Sequence, residues 1–241
     1  MSTLFVSDVH LSAARPQMAE AFSAFLAGPA RRAQTLYILG DLFDAWLGDD
    51  DLRQPHGRIV EELAALTASG VPVFMVHGNH DFLIGARFVE LTGCRLLADH
   101  TRIEVAGTPV LVMHGDTLCT RDTDYQAFRR MTRDPENQRQ FLALPLAERA
   151  KRAAGMQREA HQAVQLKAED IMDVTPDAVS AALREHGVRH LVHGHTHRPR
   201  IHDFTLDGDP AVRIVLSPWY EHGSALVWDD AGYRLTPVED L

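Results

Sequence analysis

Five short polar clusters carry residue types that bind divalent metal ions. They are Asp8-Val9-His10, Gly40-Asp41-Leu42-Phe43-Asp44, Gly78-Asn79-His80-Asp81, His114-Gly115-Asp116 and His193-Gly194-His195-Thr196-His197. This mixture of carboxylates, imidazoles and one amide oxygen is typical of sites for first-row divalent ions and differs from a zinc site built from thiolates. Seven candidate ligands exceed the need of one ion, so the clusters predict two ions with Asp41 as the bridge. Such a pair, about 3.5 to 4 Å apart, clamps a phosphoryl group for in-line displacement.

Each cluster follows a short apolar segment typical of a buried strand. The segments are Leu4 to Ser7, Thr35 to Leu39, Val71 to Val76, Val110 to Met113 and Val188 to Val192. A histidine beside one strand is more often structural than a ligand, but five clusters in five such positions favour a site. In an open α/β sheet the loops at the carboxyl ends of the strands converge on one crevice. We therefore expect the clusters to meet.

The elements between the clusters predict an α/β fold. Helical spacing over Met18 to Ala27 and Ile59 to Ala68 alternates with the strands. Three further strand patterns come late, at Ala211 to Leu216, Ala225 to Trp228 and Tyr233 to Thr236. We expect two facing sheets with helices outside, in a single domain over residues 1–241.

Residues 121–169 interrupt this alternation. They contain no convincing strand and carry 10 Lys and Arg against 7 Asp and Glu, so their charge is +3 and that of the remainder is −12. Helical apolar spacing predicts a small amphipathic cap at about residues 121–170. The plainer interpretation is a helical hairpin that simply packs on the core.

Composition excludes several classes of protein. With 241 residues, 45% hydrophobic, the chain can build a core without disulfides, and its two cysteines, Cys94 and Cys119, are expected to be reduced. A net charge of −9 argues against nucleic-acid binding. No apolar run approaches the roughly 18 residues of a membrane span, and the first residues do not resemble a secretory signal. We expect a cytoplasmic monomer.

The five clusters in this order resemble the calcineurin-like metallophosphoesterase superfamily. The resemblance implies a double β-sandwich flanked by helices. It also implies two ligand sets that share one residue. The first ion would be held by Asp8, His10, Asp41 and His197, and the second by Asp41, Asn79, His114 and His195.

A narrower resemblance is to the UDP-2,3-diacylglucosamine pyrophosphohydrolase family of lipid A biosynthesis. The matching strings are Leu39-Gly-Asp-Leu-Phe-Asp-Ala-Trp-Leu-Gly-Asp49, Gly78-Asn-His-Asp-Phe-Leu-Ile-Gly85, His114-Gly-Asp-Thr-Leu-Cys-Thr120, Phe141-Leu-Ala-Leu-Pro145, Ile171-Met-Asp-Val174 and His193-Gly-His-Thr-His-Arg-Pro199. It implies that metal-bound hydroxide attacks the α-phosphorus of UDP-2,3-diacylglucosamine, giving UMP and 2,3-diacylglucosamine 1-phosphate. It also implies two manganese ions and peripheral attachment to the cytoplasmic face of the inner membrane.

The same resemblance suggests which residues contact the substrate. Head-group contacts would come from Asn79, His80, Asp122, Lys167 and His195, whereas Ala160 and Val164 stand where we associate the family with Ser and Asn. Apolar cap residues are expected to line a trough for the acyl chains, although each could equally belong to the core of the cap. The candidates are Phe128, Phe141, Leu146 and Met156.

His80 stands where we associate this family with Arg and the wider superfamily with His. Asp44 resembles the superfamily's partner of that histidine, so we expect its carboxylate to keep His80 protonated and His80 to stabilise charge. The departures at His80, Ala160 and Val164 keep a broader nucleotide pyrophosphatase or phosphodiesterase open as the alternative. A non-catalytic scaffold is more remote, because every expected ligand is present.

Overall fold

Two β-sheets lie face to face in the computed structural model, which describes residues 2–167, 171–220 and 223–241. The strands of the first sheet are β1 (Thr3–Val6), β2 (Thr35–Leu39), β3 (Val73–Val76), β4 (Arg95–Leu96), β10 (Ser224–Asp229) and β11 (Gly232–Pro237). Their order is β11-β10-β1-β2-β3-β4. Strands β1 to β4 are parallel, and β10 and β11 are antiparallel to their neighbours.

The second sheet has five strands in the order β5-β6-β7-β9-β8. These are β5 (Thr101–Val105), β6 (Thr108–Val112), β7 (His190–His193), β8 (Arg200–Leu206) and β9 (Asp209–Val215). Strands β6, β7 and β9 are parallel, and β5 and β8 pair antiparallel at the two edges. Parallel strands need long crossovers, and these bring helices to the outer faces of the sheets.

Seven helices lie in the part of the chain that the structure describes. They are α1 (Pro16–Ala27), α2 (His56–Ala68), α3 (Ala86–Thr92), α4 (Thr123–Arg133), α5 (Pro135–Leu142), α6 (Leu146–Leu166) and α7 (Pro176–His186). One apolar core joins α1, α2 and α3 to the first sheet, a second lies between the sheets, and a third joins α7 to the second sheet. This is the predicted arrangement of two facing sheets with helices outside.

Strand register sets the position of the site. Val6 of β1 pairs with Ile38 of β2, and Leu39 pairs with Val76 of β3. In the other sheet Val112 of β6 pairs with Val192 of β7. Because these strands are parallel and in step, the loops that follow them begin side by side.

All the strands predicted from apolar runs are present, with ends shifted by up to two residues. Strands β4, β5 and β8 were not predicted. In β5 the side chains of Arg102 and Glu104 face solvent, and β8 is an edge strand with exposed polar residues. Partial burial weakens the apolar signal on which strand prediction depends.

The segment predicted to be helical contains α4, α5 and α6. The side chain of Asp122 accepts a hydrogen bond from Tyr125 N at the start of α4, and that of Asp134 caps α5, where Pro135 is the first residue. Arg149 in the first turn of α6 is buried and donates to Leu47 O and to the carboxylate of Asp50. The contacts of Arg149 fix the start of α6 over the loop that follows β2.

Candidate metal centre

The predicted ligands lie on backbone of unusual geometry. Asp8, His10, Asp41, His195 and His197 all have φ between 52° and 65°. Residues with a β-carbon rarely adopt this left-handed region, and such strain persists only where the surrounding structure holds it. Here Asp8 N donates to the carbonyl of Gly40 and His10 N donates to that of Asp41. The loops after β1 and β2 are therefore locked together.

The first predicted ligand set comes together at the ends of β1, β2 and β7. Ligand atoms of Asp8, His10 and His197 lie within 4.8 Å of one another. His197 Nε2 is 3.2 Å from Asp8 Oδ1, and His10 Nε2 is 3.7 Å from Asp41 Oδ2. His10 Nε2 is buried and makes no hydrogen bond to the described residues. A buried nitrogen without a partner is costly, unless it coordinates a metal ion.

The second predicted set surrounds Asn79, in the loop after β3. Asn79 Oδ1 lies 2.9 Å from His114 Nε2 and 2.9 Å from His195 Nδ1. His114 Nδ1 is 2.9 Å from the carbonyl of Leu39, so donation there leaves Nε2 as the nitrogen that would bind an ion, in place of a proton. Asp41 Oδ2 is 3.5 Å from His114 Nε2 and also faces His10, which is the place predicted for a bridging carboxylate.

The charge state of the carboxylates also suits a cation site. Burial alone would raise the pKa of Asp8, but the rings of His197 and His114 hold it well below its ordinary value. Burial likewise opposes ionisation of Asp41, yet His114 lowers its pKa. Burial disfavours a charged His114, but the carboxylates of Asp41 and Asp8 outweigh it and raise the pKa to about 9. Both carboxylates are ionised at neutral pH, so the residues fit a pair of divalent ions.

His80 and Asp44 meet in a different way from that expected. His80 Nδ1 lies 2.8 Å from the backbone carbonyl of Asp44, not from its carboxylate. The Asp44 carboxylate faces His10 Nδ1 at 3.5 Å and Arg15 at 3.6 Å. Sequence proximity could not distinguish these arrangements, because they depend on which way the side chain of Asp44 turns. The carboxylate of Asp44 thus orients the ring of His10. His80 is contacted by the backbone carbonyl of Asp44 and not by the carboxylate that was expected to keep it protonated.

A cavity of about 420 Å³ opens beside the predicted ligands. Asp41, Asn79, His80, His195 and His197 line its floor, and residues of α4 and α6 form its other wall. A second cavity of about 330 Å³ adjoins it and shares Asn79, His80 and Phe82 with it. The arrangement can therefore hold a polar group at the ligands and an apolar group under the helices.

Comparison with known proteins identifies the family. The family described as Calcineurin-like phosphoesterase matches residues 1–199. The UDP-2,3-diacylglucosamine hydrolase of Aeromonas hydrophila subsp. hydrophila is 50% identical over 235 residues, which cover 98% of each chain. The chain belongs to this family of phosphoesterases. The hydrolase of that name from Pseudomonas paraeruginosa is 49% identical over 98% of this chain and 99% of its own. That from Cellvibrio japonicus is 49% identical, with 98% of both chains covered.

Membership confirms both resemblances drawn from the sequence and implies divalent metal ions, for which the centre described above offers candidate ligands. None of the helices in the described part of this phosphoesterase is long and apolar enough to cross a membrane.

The residues expected to bind the head group of a substrate are partly paired with each other in this hydrolase. Lys167 Nζ lies 2.5 Å from Asp122 Oδ1, which also accepts from Tyr125 N. Asp122 lines the 420 Å³ cavity. The side chains of Ala160 and Val164 lie outside the described residues. The contacts that these two side chains make are therefore not described.

Three of the four expected acyl-chain residues line the cavities. Phe128 and Met156 line both, and Phe141 lines the second one. Leu146, at the start of α6, lines neither of these two cavities. Its half-buried side chain faces elsewhere, because only part of each turn of a helix points toward one neighbour.

Sequence reasoning missed a group that attaches the cap to the second sheet. Asp116 Oδ2 accepts from Tyr125 Oη at 2.7 Å and from Arg129 Nε at 2.7 Å, and Arg129 also reaches Asp99. The Tyr125 ring lies 5.7 Å from that of His195. The sequence did contain a signal for Asp116, because it belongs to the polar cluster His114-Gly115-Asp116 that follows a predicted strand.

Two further supporting residues carried the same kind of signal. Asp81 is fully buried and accepts from Leu42 N at 2.7 Å and Gly78 N at 2.8 Å, so it ties together the loops after β2 and β3. Tyr220 comes shortly after β9, and its hydroxyl lies 2.6 Å from His197 Nδ1. Both residues follow strands that end at the site, and each holds a loop or ring in place.

Proposed function

We propose that this protein hydrolyses the pyrophosphate bond of UDP-2,3-diacylglucosamine at the α-phosphorus, giving UMP and 2,3-diacylglucosamine 1-phosphate in lipid A biosynthesis. The observation that carries the proposal is about 50% identity, over 98% of the chain, to hydrolases of that name. The convergence of seven predicted ligands beside a cavity supports it, because this donor set suits phosphoryl transfer.

The ligand residues would hold two divalent ions, with Asp8, His10, Asp41 and His197 at one ion. The other would be held by Asp41, Asn79, His114 and His195. Bound there, such ions neutralise charge on the phosphoryl oxygens and lower the pKa of water. Manganese is the ion we propose, since oxygen and imidazole ligands accept it and the family resemblance implies it.

His80 would stabilise negative charge that develops on the phosphoryl group. It lines both cavities, and the carbonyl of Asp44 orients its ring by bonding to Nδ1. Nε2 is then left for the substrate. A phosphate monoester is already a good leaving group, so we assign His80 electrostatic stabilisation rather than obligatory proton donation. Asn79, His195, Asp122 and Lys167 would contact the head group.

The second cavity would receive the acyl chains. Phe128, Phe141 and Met156 line it together with Trp46 and Leu83. Large apolar side chains are also exposed on α4, α5 and α6, among them Met131 at 47% and Leu142 at 40%. An apolar surface of this kind on a segment of charge +3 favours contact with an anionic membrane. We propose peripheral attachment to the cytoplasmic face of the inner membrane, with the enzyme acting as a monomer.

The test is release of UMP from UDP-2,3-diacylglucosamine by the manganese-loaded protein, with Asp41→Ala as the blank. UDP-GlcNAc and a dinucleoside tetraphosphate serve as water-soluble competitors. The proposal requires the diacylated substrate to have the highest kcat/KM. Preference for either soluble compound would instead assign a broader nucleotide pyrophosphatase, and lack of bound manganese at saturation would point to a non-catalytic scaffold.

Attachment to a membrane has its own experiment. The protein is mixed with vesicles of phosphatidylethanolamine and phosphatidylglycerol and then sedimented. We expect binding to weaken in Met131→Ser and in high salt, because both apolar and electrostatic contacts contribute. If the protein stays in the supernatant, the proposed attachment is wrong, but hydrolysis of the lipid is still tested by the assay above.

A further inference from the structure

Arg133 brings a positive charge to the wall of the 420 Å³ cavity. It is the last residue of α4 and lines the same cavity as Asn79 and His195. No reasoning from the sequence singled it out, since it is one of several arginines in a basic segment.

The other arginines on this wall are paired with acids. Arg129 contacts Asp116 and Asp99, each at 2.7 Å, and Arg198 contacts Asp173 at 3.0 Å. Arg133 has no carboxylate within 4.0 Å among the described residues. A guanidinium keeps its charge in proteins, so this one is available to an anionic ligand.

Two contacts hold the Arg133 guanidinium in place. Nη2 donates to the carbonyl of Gly78 at 2.8 Å, directly before the predicted ligand Asn79. The guanidinium carbon lies over the Phe82 ring, 5.0 Å from its centroid. Burial lowers the pKa of Arg133, and its side chain is partly buried. The guanidinium has five donors and one is used here, so the fork can still bind phosphate oxygens.

Resting on the proposed function, we infer that Arg133 binds the second phosphate of a pyrophosphate substrate and makes the site select pyrophosphates over monophosphates. A pyrophosphate diester carries one negative charge on each of its two adjacent phosphates. The predicted ligands gather around a single point at the cavity floor and would serve one phosphate. Arg133 is hydrogen-bonded to Gly78 beside that point and lines the same cavity, so its guanidinium would meet the adjacent phosphate.

The experiment compares wild type, Arg133→Met, Arg133→Lys and a matched control, Arg130→Met. Arg130 lies on the same helix but is exposed and does not line either cavity. We measure KM and kcat for UDP-2,3-diacylglucosamine, inhibition constants for UDP and UMP, and manganese per chain. Thermal unfolding checks that each variant is folded.

For Arg133→Met we expect KM and the inhibition constant of UDP to rise about 10- to 100-fold, as for a lost charge-assisted hydrogen bond. The inhibition constant of UMP should change less than about threefold, and manganese content should not change. Arg133→Lys should fall between wild type and Arg133→Met, because it retains the charge but not the fork. Arg130→Met should match wild type.

Equal effects on UDP and UMP, or a fall in kcat accompanied by loss of manganese, would overturn the inference. Arg133 would then merely position the Gly78-Asn79 loop. Wild type that binds UMP as tightly as UDP would also overturn it. If wild type releases no UMP from the lipid substrate, the proposed function fails. Calorimetric binding of UDP and UMP to wild type and Arg133→Met still decides the role of Arg133.

Discussion

Gly78→Ala should disable the predicted metal centre through a single methyl group. A β-carbon added at Gly78 would lie 2.1 Å from Asp41 Oδ1 and 2.2 Å from Asp41 N, whereas ordinary contact begins near 3.4 Å. One of these atoms belongs to the backbone, so rotation of a side chain cannot relieve the crowding. The loops after β2 and β3 must separate by about 1 Å to restore ordinary contact.

That displacement moves the predicted bridging carboxylate, Asp41, away from Asn79. A misplacement of about 1 Å commonly costs about 10²-fold in rate, and overpacking typically costs about 1 to 3 kcal/mol of the free energy of unfolding. We therefore expect Gly78→Ala to bind less than the full complement of manganese. Its kcat/KM should fall about 100-fold while the protein stays folded.

The assay combines UMP release, manganese per chain by mass spectrometry, and urea unfolding. Gly155→Ala is the matched control, since among the described residues its added β-carbon would meet only Arg158 Nη2, at 4.0 Å. Gly155 is inside α6, so alanine there should stabilise by about 0.5 to 1 kcal/mol and leave activity unchanged. If Gly78→Ala keeps full manganese and activity within about threefold of wild type, crowding against Asp41 does not govern the centre.

Three other predictions concern single side chains. His80→Ala should lower kcat about 10²-fold by removing a group that stabilises charge, and unchanged kcat would reject that role. Burial lowers the pKa of His56 from 6.5, so only the unfolded chain readily takes up this proton and the free energy of unfolding should fall as the pH drops below that value. His56→Phe should show a smaller fall in urea titrations; an identical fall would assign it to other groups. Burial raises the pKa of Cys94 to about 11 and of Cys119 to about 12, so neither thiol should react with a disulfide reagent at pH 8 until the protein is unfolded, and rapid native labelling would contradict their burial.

The parallel strands could be predicted because they are buried on both faces and read as continuous apolar runs. This holds for β1, β2 and β3, whose residues are almost all buried. The half-exposed β5 and the edge strand β8 lack such runs. A different limit applies to Leu146, which was expected in the acyl-chain trough although it lines neither of the two cavities. Helical spacing gives the apolar face but not the surface that it meets.

The amino-acid sequence by itself was enough to predict a donor set for the centre. Its order along the chain, with Asp8, Asp41, Asn79, His114 and His195 each after a strand, fixed which side chains could meet, because parallel strands end at a common edge.

Only the tertiary structure decided how the surrounding residues are shared. It turns the carboxylate of Asp44 toward His10, ties Asp116 to the cap through Tyr125 and Arg129, and leaves Arg133 without an acid among the described residues. These contacts join different elements, so they depend on strand register and on the docking of α4. Local sequence pattern carries no information about either, since both are set by packing over the whole molecule.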